Sequence, residues 1–135
     1  MDLSTAMAIA ASGMKAQSAR LRVTAQNLAN AESTAQAPGG DPYRRRTISF
    51  GPREDRELGV EVVDVTRHGL DGTPFELRHQ PGHPAADEAG NVKYPNVNEF
   101  VELMDMREAQ RSYEANLNSL QLARSMQQRL IDLLR

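Results

Sequence analysis

The sequence has no cysteine and no tryptophan, and only three Phe and three Tyr in 135 residues. Without Cys there is no disulfide framework, no thiolate nucleophile and no Cys-based zinc site. The compartment stays open, because a Cys-free chain suits oxidising and reducing spaces alike. Hydrophobic residues make up 39% of the chain, and much of that share is Ala and Met in the two terminal stretches, so any central core is small. No apolar run approaches the ~20 residues needed to span a bilayer. An excess of positive charge is also missing. A formal net charge of -2 argues against a general nucleic-acid binder, which needs Lys and Arg in excess to displace counterions from phosphates. The start, Met-Asp-Leu-Ser-Thr-Ala-Met-Ala, lacks the basic n-region of a secretory signal peptide. The expectation is a soluble protein, or one exported by a route that reads no cleaved signal.

What the chain does have is two long stretches of helical periodicity at its ends. From Asn98 to Arg135 there is no Gly and no Pro. Asn98 is a good N-cap, and Glu99 and Glu102 fall in the first turn, where the helix dipole favours negative charge. Met106, Ala109, Tyr113, Leu117, Leu120, Ala123, Leu130 and Leu134 recur mostly at three- and four-residue steps, the signature of one helix face. At 1.5 Å per residue this helix would be roughly 55 Å long. A domain of this size cannot cover such a stripe with one compact core, so the stripe requires a partner helix.

The other end offers one. Leu3, Met7, Ala10, Met14, Gln17, Leu21, Thr24 and Leu28 follow a 3.5-residue seam. Gln17 and Thr24 are its polar positions, read as half-exposed. Small residues crowd this segment, and Gly13 costs it about 1 kcal/mol relative to Ala; a glycine in such a helix often lets another backbone approach closely, a tolerated local defect being the plainer alternative. Asn27 and Asn30 stand near the end, where Asn is a competent C-terminal residue because it tolerates left-handed geometry.

Residues 31–42 read as a linker, since Pro38, Gly39, Gly40 and Pro42 cannot sit inside a helix or central strand. The middle, 43–97, reads as short strands and turns. Ile48 and Phe50, Val60 and Val62, Phe75 and Leu77, and Val92 and Tyr94 each alternate with polar residues, and the adjoining Val62-Val63 suggests a bulge or the end of one alternation. Turn chemistry is expected at Gly51-Pro52, His68–Gly72, Gln80–Pro84 and Glu88–Asn91.

Candidate chemistry is thin. Arg44-Arg45-Arg46 could be a nucleic-acid or lipid patch, but Glu54, Asp55 and Glu57 balance it and favour a solvated strand start. His79 and His83 flank Pro81-Gly82, so helical spacing is unavailable to them as metal ligands. There is no G-x-S-x-G, P-loop or G-x-G-x-x-G pattern. Ser112 and Tyr113 have no His near them in sequence. No catalytic, cofactor-binding or metal-ligating residue is assigned, and no cofactor is expected.

Ala11-Ser12-Gly13-Met14, Gln17, Arg20-Leu21 and Ala25–Ala31 (Ala-Gln-Asn-Leu-Ala-Asn-Ala) resemble the N-terminal motif of the rod and hook proteins of the bacterial flagellum. Arg111–Asn116 (Arg-Ser-Tyr-Glu-Ala-Asn) resembles the C-terminal motif of the same axial family. Gly40–Arg44, Pro81–Asp87 and Gly90–Asn98 extend the likeness through the interior and, with the short length, point to the proximal rod. Asn91 stands where an aromatic residue is expected.

The resemblance implies a mainly α fold in which long N- and C-terminal helices pair as an antiparallel coiled coil, with a small β-rich insertion between them. The segments are an N-terminal helix in 1–30, a linker in 31–42, the insertion in 43–97 and a C-terminal helix in 98–135. It implies a structural subunit polymerising through its terminal helices into the proximal drive shaft. Its partners would be itself and other rod proteins, the membrane-ring and rod-adaptor proteins of the basal body, and the flagellar type III export apparatus. No nucleic acid and no membrane span are expected, and the location would be the periplasmic rod, reached without a cleaved signal peptide. The expected subunit interface comprises Leu3, Met7, Ala10, Gly13, Met14, Leu21, Asn27, Leu28 and Asn30 of the first stretch. From the second come Met106, Tyr113, Asn116, Leu117, Leu120, Leu130 and Leu134. Two rivals remain: a coiled-coil adaptor or secretion chaperone, which would not need motifs at both ends, and a small enzyme, for which no convergent residue set is visible. Because the terminal stretches are too long and one-sided to bury themselves on the small middle, the isolated chain is expected to be far less helical than the assembled one.

Overall fold

The expected N-cap starts the longest element. In a computed structural model, which describes residues 2–134, the Asn98 side-chain oxygen accepts hydrogen bonds from the backbone N–H groups of Phe100 (3.0 Å) and Val101 (3.2 Å). From there helix α2 runs Glu99–Leu133, 35 residues, with Glu99 and Glu102 in its first turn. The other long helix, α1, is Leu3–Ala29, 27 residues. Met1 and Arg135, the outermost residues of the two terminal segments, lie outside the described residues. Between the helices lie β1 (Arg46–Asp55), β2 (Val60–Leu70), β3 (Glu76–His79) and β4 (Asn91–Tyr94). They form two sheets of two strands each, β1 with β2 and β3 with β4.

The chain divides into two compact units, and both helices contribute to each. The first unit takes α1 up to Leu21, residues 48–67 of the β1–β2 hairpin, and α2 from Arg107 onward. Within it, a Cβ placed on Gly13 would stand 2.8–2.9 Å from the side-chain amide of Asn116, so these segments touch where α1 has no side chain. Further along, Arg20 makes a 3.9 Å ion pair with Glu108. The two helical segments therefore run in opposite directions in this unit. Its buried apolar residues are Ala10, Ala16, Val62, Ala109 and Ala123, almost all alanine.

The hairpin departs from the turn reading at two places. Gly51 and Pro52 lie inside β1, not in a turn. Pro52 is exposed in a two-stranded sheet, where a missing N–H is tolerated, and Gly51 is required because a Cβ there would meet the Thr66 methyl at 2.7 Å. Likewise, His68, Gly69 and Leu70 close β2 instead of opening a turn. Nor does the alternation end at Val62-Val63. Val62 is buried, Val63 is exposed, and the strand continues, with the Val63 N–H donating to Ser12 Oγ of α1 at 3.3 Å.

The second unit takes Arg22–Thr47 and His68–Met106. Its β3–β4 sheet is antiparallel, pairing Glu76 with Tyr94, Leu77 with Lys93, Arg78 with Val92 and His79 with Asn91. Val92 and Tyr94 turn their side chains onto Ala85, with Ala35 and Ala86 packed beside them, and form the hydrophobic cluster of this unit. Residues 80–90 are tied by backbone bonds from Gln80 N to Gly90 O and from Asp87 N to Asn91 O. Gly90 takes φ +80°, which explains a glycine at that position.

Candidate assembly surface

The residues singled out from sequence separate by unit. In the first, Ala10 is buried, while Leu3, Met7, Gly13, Met14 and Leu21 of α1 and Tyr113, Asn116, Leu117 and Leu120 of α2 are half-buried. Leu130 and Leu134 are 54% and 88% exposed. They belong to a longer uncovered stripe, Leu122, Met126, Leu130, Ile131, Leu133 and Leu134, that occupies the last three turns of α2. The register explains its outer part, from Leu130 onward. Gly13 faces Asn116 and Arg20 faces Glu108; continued one residue for one, this places Leu3 near Met126. Beyond that point α2 outruns α1 and has no helix of its own chain against it. Leucine and isoleucine side chains facing water at i, i+4 spacing are a surface that burial would stabilise by about 1.5–3 kcal/mol per side chain.

Gln17 and Thr24, the polar seam positions, behave differently from each other. Gln17 is half-buried, and its side-chain oxygen is buried with no hydrogen-bond partner among the described residues. Thr24, in the second unit, is 4% exposed and not half-exposed, because Val23, Thr24 and Asn27 form the inward face of the last α1 turns.

Of the remaining candidates in the second unit, Leu28, Asn30 and Met106 are half-buried and Asn27 is completely buried. Neither Asn adopts left-handed geometry: no non-glycine residue among those described has a positive φ. Asn30 instead ends the helix by donating its side-chain amide to Gln26 O at 2.8 Å. Asn27 is a hub. Its Nδ2 donates to Arg46 O (2.9 Å) and to Glu102 Oε2 (3.2 Å). Its Oδ1 accepts from Arg46 N (2.8 Å) and from the Tyr43 hydroxyl (2.9 Å). Glu102, in the first turn of α2, has no exposed surface, and Arg45 Nε donates to its other oxygen.

The Arg44-Arg45-Arg46 run is therefore not a solvated strand start. Arg44 lies over the Phe75 ring at 4.2 Å and donates to the carbonyl oxygens of Asp71 (2.8 Å) and Thr73 (3.2 Å). Arg45 pairs with Glu102, Asp71 (3.4 Å) and Asp105 (3.7 Å). Only the Arg46 side chain of the three is exposed. Burial works against the Arg45 charge, yet the hydrogen bond and charge of Glu102, joined by Asp71 and Asp105, outweigh it and raise the guanidinium's pKa. Burial likewise pushes the Tyr43 phenol above its ordinary value, opposed by Arg46 and aided by Glu102. Hydrogen bonds from Thr73 hold Asp71 below the usual carboxylate range, and Arg45 adds to the effect. Sequence reasoning assigned Glu102 only to the helix dipole. The signal that could have found its role is that Glu102 takes the inward position one turn before Met106, where an apolar residue belongs.

The His residues have local duties. The His83 Nδ1 accepts from Ala85 N at 3.0 Å, and the His79 Nδ1 lies 3.3 Å from Asn91 Oδ1. An open cleft of about 600 Å³ in the second unit is lined by Glu32, Phe75, Glu76, Arg78, Asn96 and Glu99, among others. Arg78 is committed there to Glu32 and Glu76 and covers the Tyr94 ring at 4.0 Å. Among the described residues no helix is long and apolar enough to cross a membrane.

Comparison with known proteins identifies relatives along nearly the whole chain. The family described as flagella basal body rod protein matches residues 7–35, and the family described as flagellar basal body rod FlgEFG protein C-terminal matches residues 88–133. Among curated relatives, the flagellar basal-body rod protein FlgC of Agrobacterium fabrum is 50% identical over 98% of this chain and 96% of its own length. The proteins of the same name from Aquifex aeolicus and Borreliella burgdorferi are 39% and 35% identical. The alignments cover 98% and 93% of this chain, and 97% and 93% of theirs.

Proposed function

From the premise that this chain belongs to the FlgC family of flagellar basal-body rod proteins and is a structural subunit of the rod, we propose that its role is non-catalytic and propose how it assembles. It polymerises through its terminal helices, with itself and with other rod proteins, into the proximal part of the drive shaft. The pairing of α1 with α2 extends into an antiparallel coiled coil once neighbours are in place. The subunit reaches the periplasm through the flagellar type III export apparatus and meets the membrane-ring and rod-adaptor proteins of the basal body. Helix surfaces around Leu3, Met7, Met14, Leu117 and Leu120 are shared with adjacent subunits.

The observation that carries this reading is the uncovered apolar stripe on the last turns of α2, where Leu122, Met126 and Leu130 follow at four-residue steps. A stripe of that kind has no use to an isolated chain and is the natural seat of a neighbour's helix. An adaptor or chaperone would not require rod-family sequence at both ends, and both ends carry it here. Leu130→Asp is the test. Leu130 is exposed, so the monomer should melt as before, while basal bodies purified from a strain carrying the variant should lack the rod. Intact rods containing the variant subunit would sink the proposal.

A further inference from the structure

The inward position of α2 in the second unit is occupied by a carboxylate, and the residues beside it that could have formed an apolar seam face water. Glu102 is fully buried, whereas Phe100, Leu103 and Met104 are 72%, 45% and 51% exposed. Opposite it, Asn27 is also fully buried and uses both ends of its amide on three separate segments: Tyr43, the Arg46 backbone and Glu102. Arg45 closes the circuit by joining Glu102 to Asp71, and its own backbone is held by Asn96 Oδ1 at 2.8 Å and by Asp71 N at 2.8 Å.

We infer that Asn27, Arg45 and Glu102 form a register lock, which permits one pairing of the α1 end, the β1 start and the first turns of α2. Apolar helix seams are forgiving, because a slip of one turn exchanges one aliphatic contact for another. A slip here would leave a buried carboxylate without its guanidinium and a buried amide without partners, each costing several times thermal energy. A buried polar position that sets register at some expense of stability is well attested in helical assemblies. The lock also decides which α2 side chains face outward, so that every copy presents Phe100, Leu103 and Met104 in the same place; this last consequence alone rests on the rod assembly proposed above.

The chain has no native Cys, so site-directed spin labels can be placed cleanly on the full protein. Arg22→Cys and Phe100→Cys are exposed positions in the second unit, staggered along the two helices so that an axial slip changes the distance between them. The expected distance distribution is one narrow peak. In the background Asn27→Leu/Arg45→Met/Glu102→Leu, cooperative melting should persist, but a second peak should appear, displaced by several ångströms and by at most one helical turn, ~5 Å. Retention of the single narrow peak in that background would overturn the inference, and so would a broad distribution in the otherwise unmodified chain. Should the triple variant not melt cooperatively, Glu102→Gln and Glu102→Leu decide the matter. Gln keeps the carboxylate's shape and one acceptor oxygen, for Asn27 or for Arg45, and should keep one peak, while Leu keeps neither acceptor and should split it. Equal behaviour of the two, in either direction, contradicts the lock.

Discussion

The two units of this subunit are held together in different ways. The second buries Val92 and Tyr94 against Ala85, fills its polar interior with partnered groups, and ties Asn27, Arg45, Asp71 and Glu102 into one circuit. The first buries alanines and a single valine, leaves the Gln17 side-chain oxygen buried without a partner, and exposes six large aliphatic side chains at the end of α2. An alanine methyl contributes under ~1 kcal/mol on burial, little against the ~1–2 kcal/mol needed to order each residue's backbone. The comparison teaches that one long helix can be bound into a partnered core over part of its length and carry an uncovered apolar stripe over the rest.

The largest expected effect comes from removing residues 124–135, most of the uncovered stripe. Every buried residue described in the first unit lies before that cut. The truncated chain should remain folded in its second unit and fail completely to support motility. Swimming at wild-type speed would break the comparison at its first step. Next in size is Tyr94→Ala, which removes a large ring from the cluster of the second unit and should cost about 3–5 kcal/mol in urea unfolding of the isolated chain. A loss of similar size from Leu117→Ala in the first unit would mean that the two units are held alike.

A finer contrast concerns Gly13. Gly13→Ala alone brings a Cβ within 2.9 Å of the Asn116 amide, and the displaced amide should offset the ~1 kcal/mol that alanine adds to a helix. Combined with Asn116→Ala, the same change should stabilise the helical form, because the contact that required glycine has gone. Helix content by circular dichroism in a mild cosolvent reads the cycle, and additivity of the two substitutions would remove Asn116 as the reason for the glycine.

Much of this was legible in the sequence, and the remainder fails for definable reasons. Asn98 as a cap, the two helices and the four alternating segments follow from local rules that need no knowledge of neighbours. Gly13 as a place of close approach could be read from its cost, but what approaches is the Asn116 side chain and not the expected backbone. What was not legible depended on partners far off in sequence. Pro52 looked like a turn residue until an unpaired strand edge made it admissible. Arg45 looked solvated because its partners Glu102 and Asp71 are remote along the chain. Asn27 looked like a helix terminus, and the hydrogen bonds that make it a hub come from Tyr43, Arg46 and Glu102.

The smallest expected effect is electrostatic and confined to the second unit. Asp71 has its pKa lowered by Thr73 and Arg45, so it contributes stability that is present above its unfolded value, ~3.9, and is lost as pH falls through the lower folded value. Asp71→Asn should flatten the acid limb of the melting curve in that window and leave the curve near neutrality displaced but parallel. An unchanged acid limb would detach Asp71 from the circuit.

Amide hydrogen exchange on dilute monomer tests the central claim most directly. Sequence periodicity alone leads one to expect fast exchange along the whole of both terminal segments; the two-unit structure refines that expectation. Residues 22–29 of α1 and 102–106 of α2 should be protected together with β3 and β4, while residues 5–12 and 120–133 exchange quickly. Uniform protection along both helices would contradict the account, because the first unit would then be a self-sufficient hairpin with no need of neighbours.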